Sequence, residues 1–145
     1  MKRHEATDET SIRALLDYLN VCHDGVVRRI SFIKDRDYTH EGDVFWPAES
    51  GAWKDEMAKC SIEMEILLNS YAGAAPKQIV VLQFEAVRSF RFFQEDVFDY
   101  SFIYEIVLHK SGEDGFEFLF RMGWAEEIEA LRVVCSKMVC VELAQ

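Results

Sequence analysis

Proline is scarce in this 145-residue chain, with Pro47 and Pro76 its only two. No low-complexity run accompanies them, so the chain reads as folded, with disorder expected only over the first several residues. Long apolar runs are missing as well. The longest purely aliphatic stretch is Ile79-Val80-Val81-Leu82, far short of the roughly 20 residues that span a bilayer. The opening MKRHEATDET has two basic residues and no apolar stretch behind them, which does not read as a secretory signal. Cys22, Cys60, Cys135 and Cys140 form no C-x-x-C pair and sit among apolar neighbours. Buried free thiols in a reducing cytosol, and hence a cytoplasmic location, are the expectation. A Gly-rich phosphate loop, a G-x-S-x-G elbow and a Cys/His nucleophile pattern are all absent, so no catalytic residue, metal or cofactor is read from the sequence. Positive charge is short too: 16 Lys and Arg stand against 26 Asp and Glu, a net charge of −10. Such a field repels nucleic-acid phosphates and anionic lipid surfaces, and it speeds encounter with a basic protein.

What is present is apolar and aromatic. Half of the residues are hydrophobic, and the 13% aromatic content includes eleven Phe. A chain of this size has enough core to fold without disulfide or metal staples, and a single domain over residues 1–145 is expected. Flat rings pack well on a pleated sheet, so the composition favours β structure.

Periodicity places the elements. Ile12, Leu15, Leu16, Leu19 and Cys22 lie on one helical stripe, with Asp8 as N-cap and an end expected near His23, where Gly25 offers a permissive C-cap. From Val26 the period becomes two, giving a first strand to Ile33. Residues 34–54 read as loop, with a short strand at Val44–Trp46. A second strand turns Cys60, Ile62, Met64, Ile66 and Leu68 one way and Ser61, Glu63 and Glu65 the other. NSYAGAAPK turns the chain into a long strand from Ile79 to Phe93, which should bulge or break near Arg88. If these strands pair, Glu63 and Glu65 meet Arg88 and Arg91. After QEDVFD, a fourth strand puts Tyr100, Phe102, Tyr104, Ile106 and Leu108 on one face. KSGEDG signals a hairpin into a fifth strand with Phe116, Phe118 and Phe120. The stretch from Trp124 fits helix or strand, and its β-branched residues favour one more strand or a strand pair. The expected fold is α+β: a mainly antiparallel sheet of about six or seven strands, sandwich or partly closed barrel, with one N-terminal amphipathic helix.

Three features invite a functional reading. His23-Asp24 matches the doublet of metal-dependent phosphohydrolases, but those need a helical scaffold with further His and Asp ligands. The cheaper account is a helix end followed by a turn into a strand. DRDYTHEGD alternates acids like a calcium loop, yet His40 stands where Gly should and Trp46 where the bidentate Glu should. A looser metal site around His40, Glu41 and Asp43 competes with a plain acidic loop. The aromatics around Phe93, Tyr100 and Tyr104 serve as core, pocket lining or an interaction surface. The binding candidates are therefore His23, Asp24, His40, Phe93, Tyr100 and Tyr104.

A whole-chain pattern carries one resemblance. His23-Asp24-Gly25 with Val27, Ile30 and Phe32, then Leu82, Phe84 and Val87, then Ile128 and the tail resemble a diffuse group of small bacterial domains without an assigned activity. Some of that group look like immunity proteins that neutralise polymorphic toxins. The position before Val87 is often Gly in such sequences and is Ala86 here. The resemblance implies an α+β fold, a cytosolic home and no established activity, and it brings no catalytic residues; the missing catalytic constellation and the acidic field favour action by binding a protein, such as a basic toxin. The alternatives are a small-molecule-binding or metal-dependent hydrolytic domain with an aromatic pocket near His23, and a homodimer joined through the aromatic face.

Overall fold

The structure is a computed structural model that describes residues 2–34, 60–69, 76–93, 102–123 and 128–143. Its elements run β1 (Lys2–Ala6), α1 (Glu9–Tyr18), β2 (Val26–Lys34), β3 (Cys60–Leu68), β4 (Gln78–Glu85), β5 (Ser89–Phe92), β6 (Ile103–Ser111), β7 (Gly115–Met122), β8 (Ile128–Cys135) and β9 (Lys137–Glu142). The strands form two antiparallel sheets, ordered β1-β9-β4-β3-β2 and β5-β8-β7-β6. Their inner faces share one hydrophobic core. Neither sheet closes on itself, so the fold is an α+β sandwich. Among the described residues no helix is long and apolar enough to cross a membrane.

Alternation explains the inner faces. Ile62, Met64 and Ile66 on β3 and Val80, Leu82 and Phe84 on β4 are fully buried, every second residue in turn. Phe84 meets Phe118 and Phe120 of the other sheet edge-on, with ring centroids 5.0 and 6.1 Å apart. Each such pair adds about 0.5–1.5 kcal/mol beyond the area it buries. Helix α1 is fixed at its start by a reciprocal cap: Ser11 N–H donates to Asp8 Oδ1 at 2.8 Å, and Asp8 N–H donates to Ser11 Oγ at 3.2 Å. Its buried face is Ile12, Leu15 and Leu16.

The long strand read from Ile79 to Phe93 does break, at a corner where the chain changes sheet. Ala86 takes φ 55° there, Arg88 N–H donates to Val134 O at 2.8 Å, and Ser136 N–H donates to Glu85 O at 3.1 Å. The neighbouring run β8–β9 bends at the same place, so both long strands turn together from one sheet into the other. The tail after residue 127 is accordingly a strand pair in the topological sense, with one half in each sheet. The corner also overturns the expected cross-strand ion pairs. Arg88 and Arg91 leave with β5, whereas Glu63 faces Gln83 and Glu65 faces Val81 and Arg29.

Five further expectations need correction. Residues Lys2–Ala6 are not disordered but form edge strand β1, paired along their length with β9. With that strand, and with the corner dividing the long strand and the tail, the described residues hold nine strands instead of six or seven. Helix α1 stops at Leu19, four residues before His23, because Asn20, Val21 and Cys22 all take left-handed backbone at φ 51°, 48° and 55°. Gly25 does not supply a left-handed cap; Asp24 does, at φ 61°. Gly25 is needed for proximity, since a Cβ there would lie 2.9 Å from Cys22 O and 3.1 Å from Ile66 Cγ2. Finally, a bulge between Ile103 and Glu105 turns Tyr104 outward, so Ile103, Ile106 and Leu108 face the core without it. The short strand read at Val44–Trp46 lies outside the described residues.

Candidate functional site

The left-handed turn after α1 projects His23 and Asp24 toward the second sheet. His23 Nδ1 lies 2.6 Å from the carbonyl oxygen of Tyr104; a carbonyl only accepts, so Nδ1 carries the hydrogen and donates. The His23 and Tyr104 rings meet edge-on at 5.3 Å, and Arg121 lies 5.5 Å over the Tyr104 ring. Asp24 Oδ2 is 3.5 Å from His23 Nε2. Backbone bonds complete the seam: Asp24 N–H donates to Ile103 O at 2.9 Å, and Ile103 N–H donates to Gly25 O at 2.8 Å. The doublet thus fastens the helix end to β6 and joins the two sheets.

Of the other sequence candidates, Phe93 follows β5 and Tyr104 lies on β6, the two opposite edges of the second sheet. Three strand spacings, about 14 Å of backbone, separate those edges. The structure therefore brings His23, Asp24 and Tyr104 together and leaves Phe93 elsewhere. His40 and Tyr100 lie outside the described residues. So do Glu41 and Asp43 of the acidic loop. Among the described residues no three His, Cys, Asp or Glu side chains converge in a metal-holding group.

A second constellation abuts His23 and was not read from the sequence. Glu142, at the end of β9, is only 8% exposed. Its carboxylate accepts from His4 Nε2 at 2.9 Å, Tyr18 Oη at 2.8 Å and Gln78 Nε2 at 2.6 Å. Four elements, β1, α1, β4 and β9, meet on this one group. The hydrogen bond from His4, with those from Tyr18 and Gln78, outweighs the cost of burial and holds the carboxyl down to about 2. The bond from Tyr18 Oη to Glu142, by keeping the phenol proton next to a carboxylate, raises Tyr18 above its ordinary value. Beside this knot opens a cleft of about 290 Å³ lined by Tyr18, Leu19, Asn20, His23, Leu68, Asn69 and Gln78. One signal for it was legible: Glu142 shares the period-two face of Met138 and Cys140, so it is an acid on an apolar face. Its three donors converge only through the sheet order, which no local pattern encodes.

A different surface lies at the sandwich mouth. Phe32 of edge strand β2 and Phe90 of edge strand β5 stack at 6.1 Å with planes 14° apart. Both project from inner faces, because Phe32 pairs in register with buried Ile62 and Phe90 with buried Val133. Phe92 extends the row on β5, whereas Ile33, in register with Ser61, turns to the outer face of its sheet. Compared with protein-family models, curated proteins and solved structures, the chain finds no match.

Proposed function

We propose that this protein works by binding another protein through the aromatic mouth between β2 and β5, in the manner of the toxin-neutralising immunity proteins its sequence resembles. One observation carries the reading: Phe32 and Phe92 remain 48% and 43% exposed beside the Phe32–Phe90 stack, where two edge strands meet. Large apolar side chains gathered at one place mark interaction sites far more often than scattered ones do. Aromatic rings are also the side chains that concentrate binding energy in protein interfaces.

Charge selects the partner class. Segment 35–59 holds seven acidic and three basic residues, and segment 94–101 three acidic and none basic. These segments continue directly from the β2 and β5 ends of the aromatic row, and together they carry a net charge of −7 out of the chain's −10. Arg29, Lys34 and Arg91 on the strands give the row a border of the other sign. A basic protein with an apolar centre meets this arrangement, which fits a cytosolic binder of a nucleic-acid-directed toxin.

The test is calorimetric titration against the products of the genes flanking this one. A tight partner is expected, and replacing Phe32 and Phe92 together by Ala should weaken it about 100-fold, in the range of an interface hot spot. His23→Ala, on the far seam, should leave the affinity within about twofold. Unchanged affinity in the Phe double variant, or no flanking product that binds, overturns the proposal.

A further inference from the structure

Four polar side chains that line the cleft beside Glu142 are tethered inward by hydrogen bonds. Tyr18 Oη spends its only hydrogen on Glu142. Gln78 must turn Nε2 to the same carboxylate, since its own carbonyl oxygen there would meet another acceptor. Asn69 Nδ2 donates to Pro76 O at 3.1 Å, and His23 Nδ1 donates to Tyr104 O. Each of these four lining groups gives a hydrogen inward to the protein. What remains to them is the phenol lone pair and two amide oxygens, each amide keeping one further N–H, while His23 Nε2 lies 3.5 Å from Asp24 Oδ2. Behind them stands the buried negative charge of Glu142.

The wall itself is held in unusual backbone. Asn20 and Val21 lie in the left-handed region, and Asn69 across the cleft takes φ 55°. A β-branched residue such as Val21 adopts that region only at a cost of about 1–3 kcal/mol, and such positions cluster at functional sites. Asn20, brought to the cleft by this turn, makes no side-chain hydrogen bond within the described residues.

From this arrangement we infer a binding site for an organic cation with several N–H donors, an ammonium or guanidinium group, seated among Tyr18, Asn69, Gln78 and His23. An anion would face acceptors and a carboxylate of its own sign. A metal ion would want converging carboxylates or imidazoles, which the described residues do not assemble. An N–H donor cation satisfies the outward oxygens and sits beside the Tyr18 ring, whose face attracts cations. The site is separate from the aromatic mouth and does not rest on the protein-binding proposal.

Heteronuclear NMR titration of the whole protein in mildly alkaline buffer tests it, with methylguanidinium and butylammonium as probes and urea and acetate as matched controls. Both cations should bind at about 1 mM, as expected for fragments of so few atoms, and shift the amides of residues 18–23, 69 and 78. Urea and acetate should not. Tyr18→Phe, which keeps the ring and removes the acceptor, should weaken binding about tenfold; Asn69→Gly, which keeps the left-handed backbone, provides a second variant of the same kind. N-acetyl-arginine amide binding more tightly than methylguanidinium marks a peptide side chain as the source, and free polyamine binding more tightly than butylammonium marks a small metabolite. Equal binding of acetate or urea, no response to either cation, or wild-type affinity in folded Tyr18→Phe and Asn69→Gly proteins overturns the inference.

Discussion

Removing the charge at Glu142 tests whether the four-element knot holds the fold together. In Glu142→Gln the shape persists, but a single carbonyl oxygen now faces three former donors: His4, Tyr18 and Gln78. The carboxyl stands at about 2 in the folded chain against an ordinary 4.5. At 1.36 kcal/mol per tenfold, that difference corresponds to about 3 kcal/mol of stability at neutral pH. Water in the adjoining cleft screens part of it, which brings the expected loss in the Gln variant to about 2 kcal/mol. That is a large fraction of the 5–15 kcal/mol typical of a folded domain. The sign follows from the lowered value. The contribution is complete above 4.5, the ordinary value, and drains away as pH falls through about 2. Urea unfolding of both proteins at a series of pH values checks this. The two stability curves should run apart by a constant amount above about pH 5 and converge by about pH 2. Parallel curves through that window would falsify the knot as a source of stability.

Ala86→Gly should stabilise the protein by about 0.5–1 kcal/mol, because a non-glycine residue at φ 55° gives up strain that glycine does not feel; a lower urea midpoint would refute the corner geometry. Gly25→Ala should cost about 1–3 kcal/mol, since its Cβ meets the Cys22 carbonyl at 2.9 Å and Ile66 at 3.1 Å; a melting temperature unchanged within a degree or so refutes that close approach. Burial pushes the Cys22, Cys135 and Cys140 thiols up to about 12, so in the native state a thiol reagent at mildly alkaline pH should label Cys60 first. The other three should follow only with unfolding, and prompt labelling of all four contradicts the buried placement.

Side-chain alternation was legible because it is local. β3 begins at Cys60 and ends at Leu68 as its pattern predicts, and the KSGEDG turn joins β6 to β7 with Ser111 opposite Gly115. The misreadings share a cause: each depends on a neighbour distant in sequence. KRHEA buries only Ala6 and shows no apolar alternation, so only its pairing with β9 makes it a strand. Periodicity puts the helix end near His23 with Gly25 as its left-handed cap, whereas the packing of Gly25 against Ile66 reserves it for closeness and the left-handed turn falls on Asn20, Val21 and Cys22. Tyr104 was put on the core face by strict alternation, and a one-residue bulge reversed it.

The same division runs through the candidate sites. His23 and Asp24 stood out because their residue types are conspicuous together, and the structure gives them a fastening role between helix end and β6. Glu142 was conspicuous only by position, an acid in step with Met138 and Cys140. A buried carboxylate of this kind is costly unless donors reach it, so reading it inward from sequence obliges at least two partners to converge there from elsewhere. Here the sheet order β1-β9-β4 sets His4 and Gln78 on either side of it, and the last turn of α1 lowers Tyr18 onto it. Tyr18, its one hydrogen committed to Glu142, keeps only a lone pair for the neighbouring cleft, and Gln78 is oriented there by the same carboxylate. The one buried charged side chain among the described residues thereby bears on the chemistry of the opening next to it.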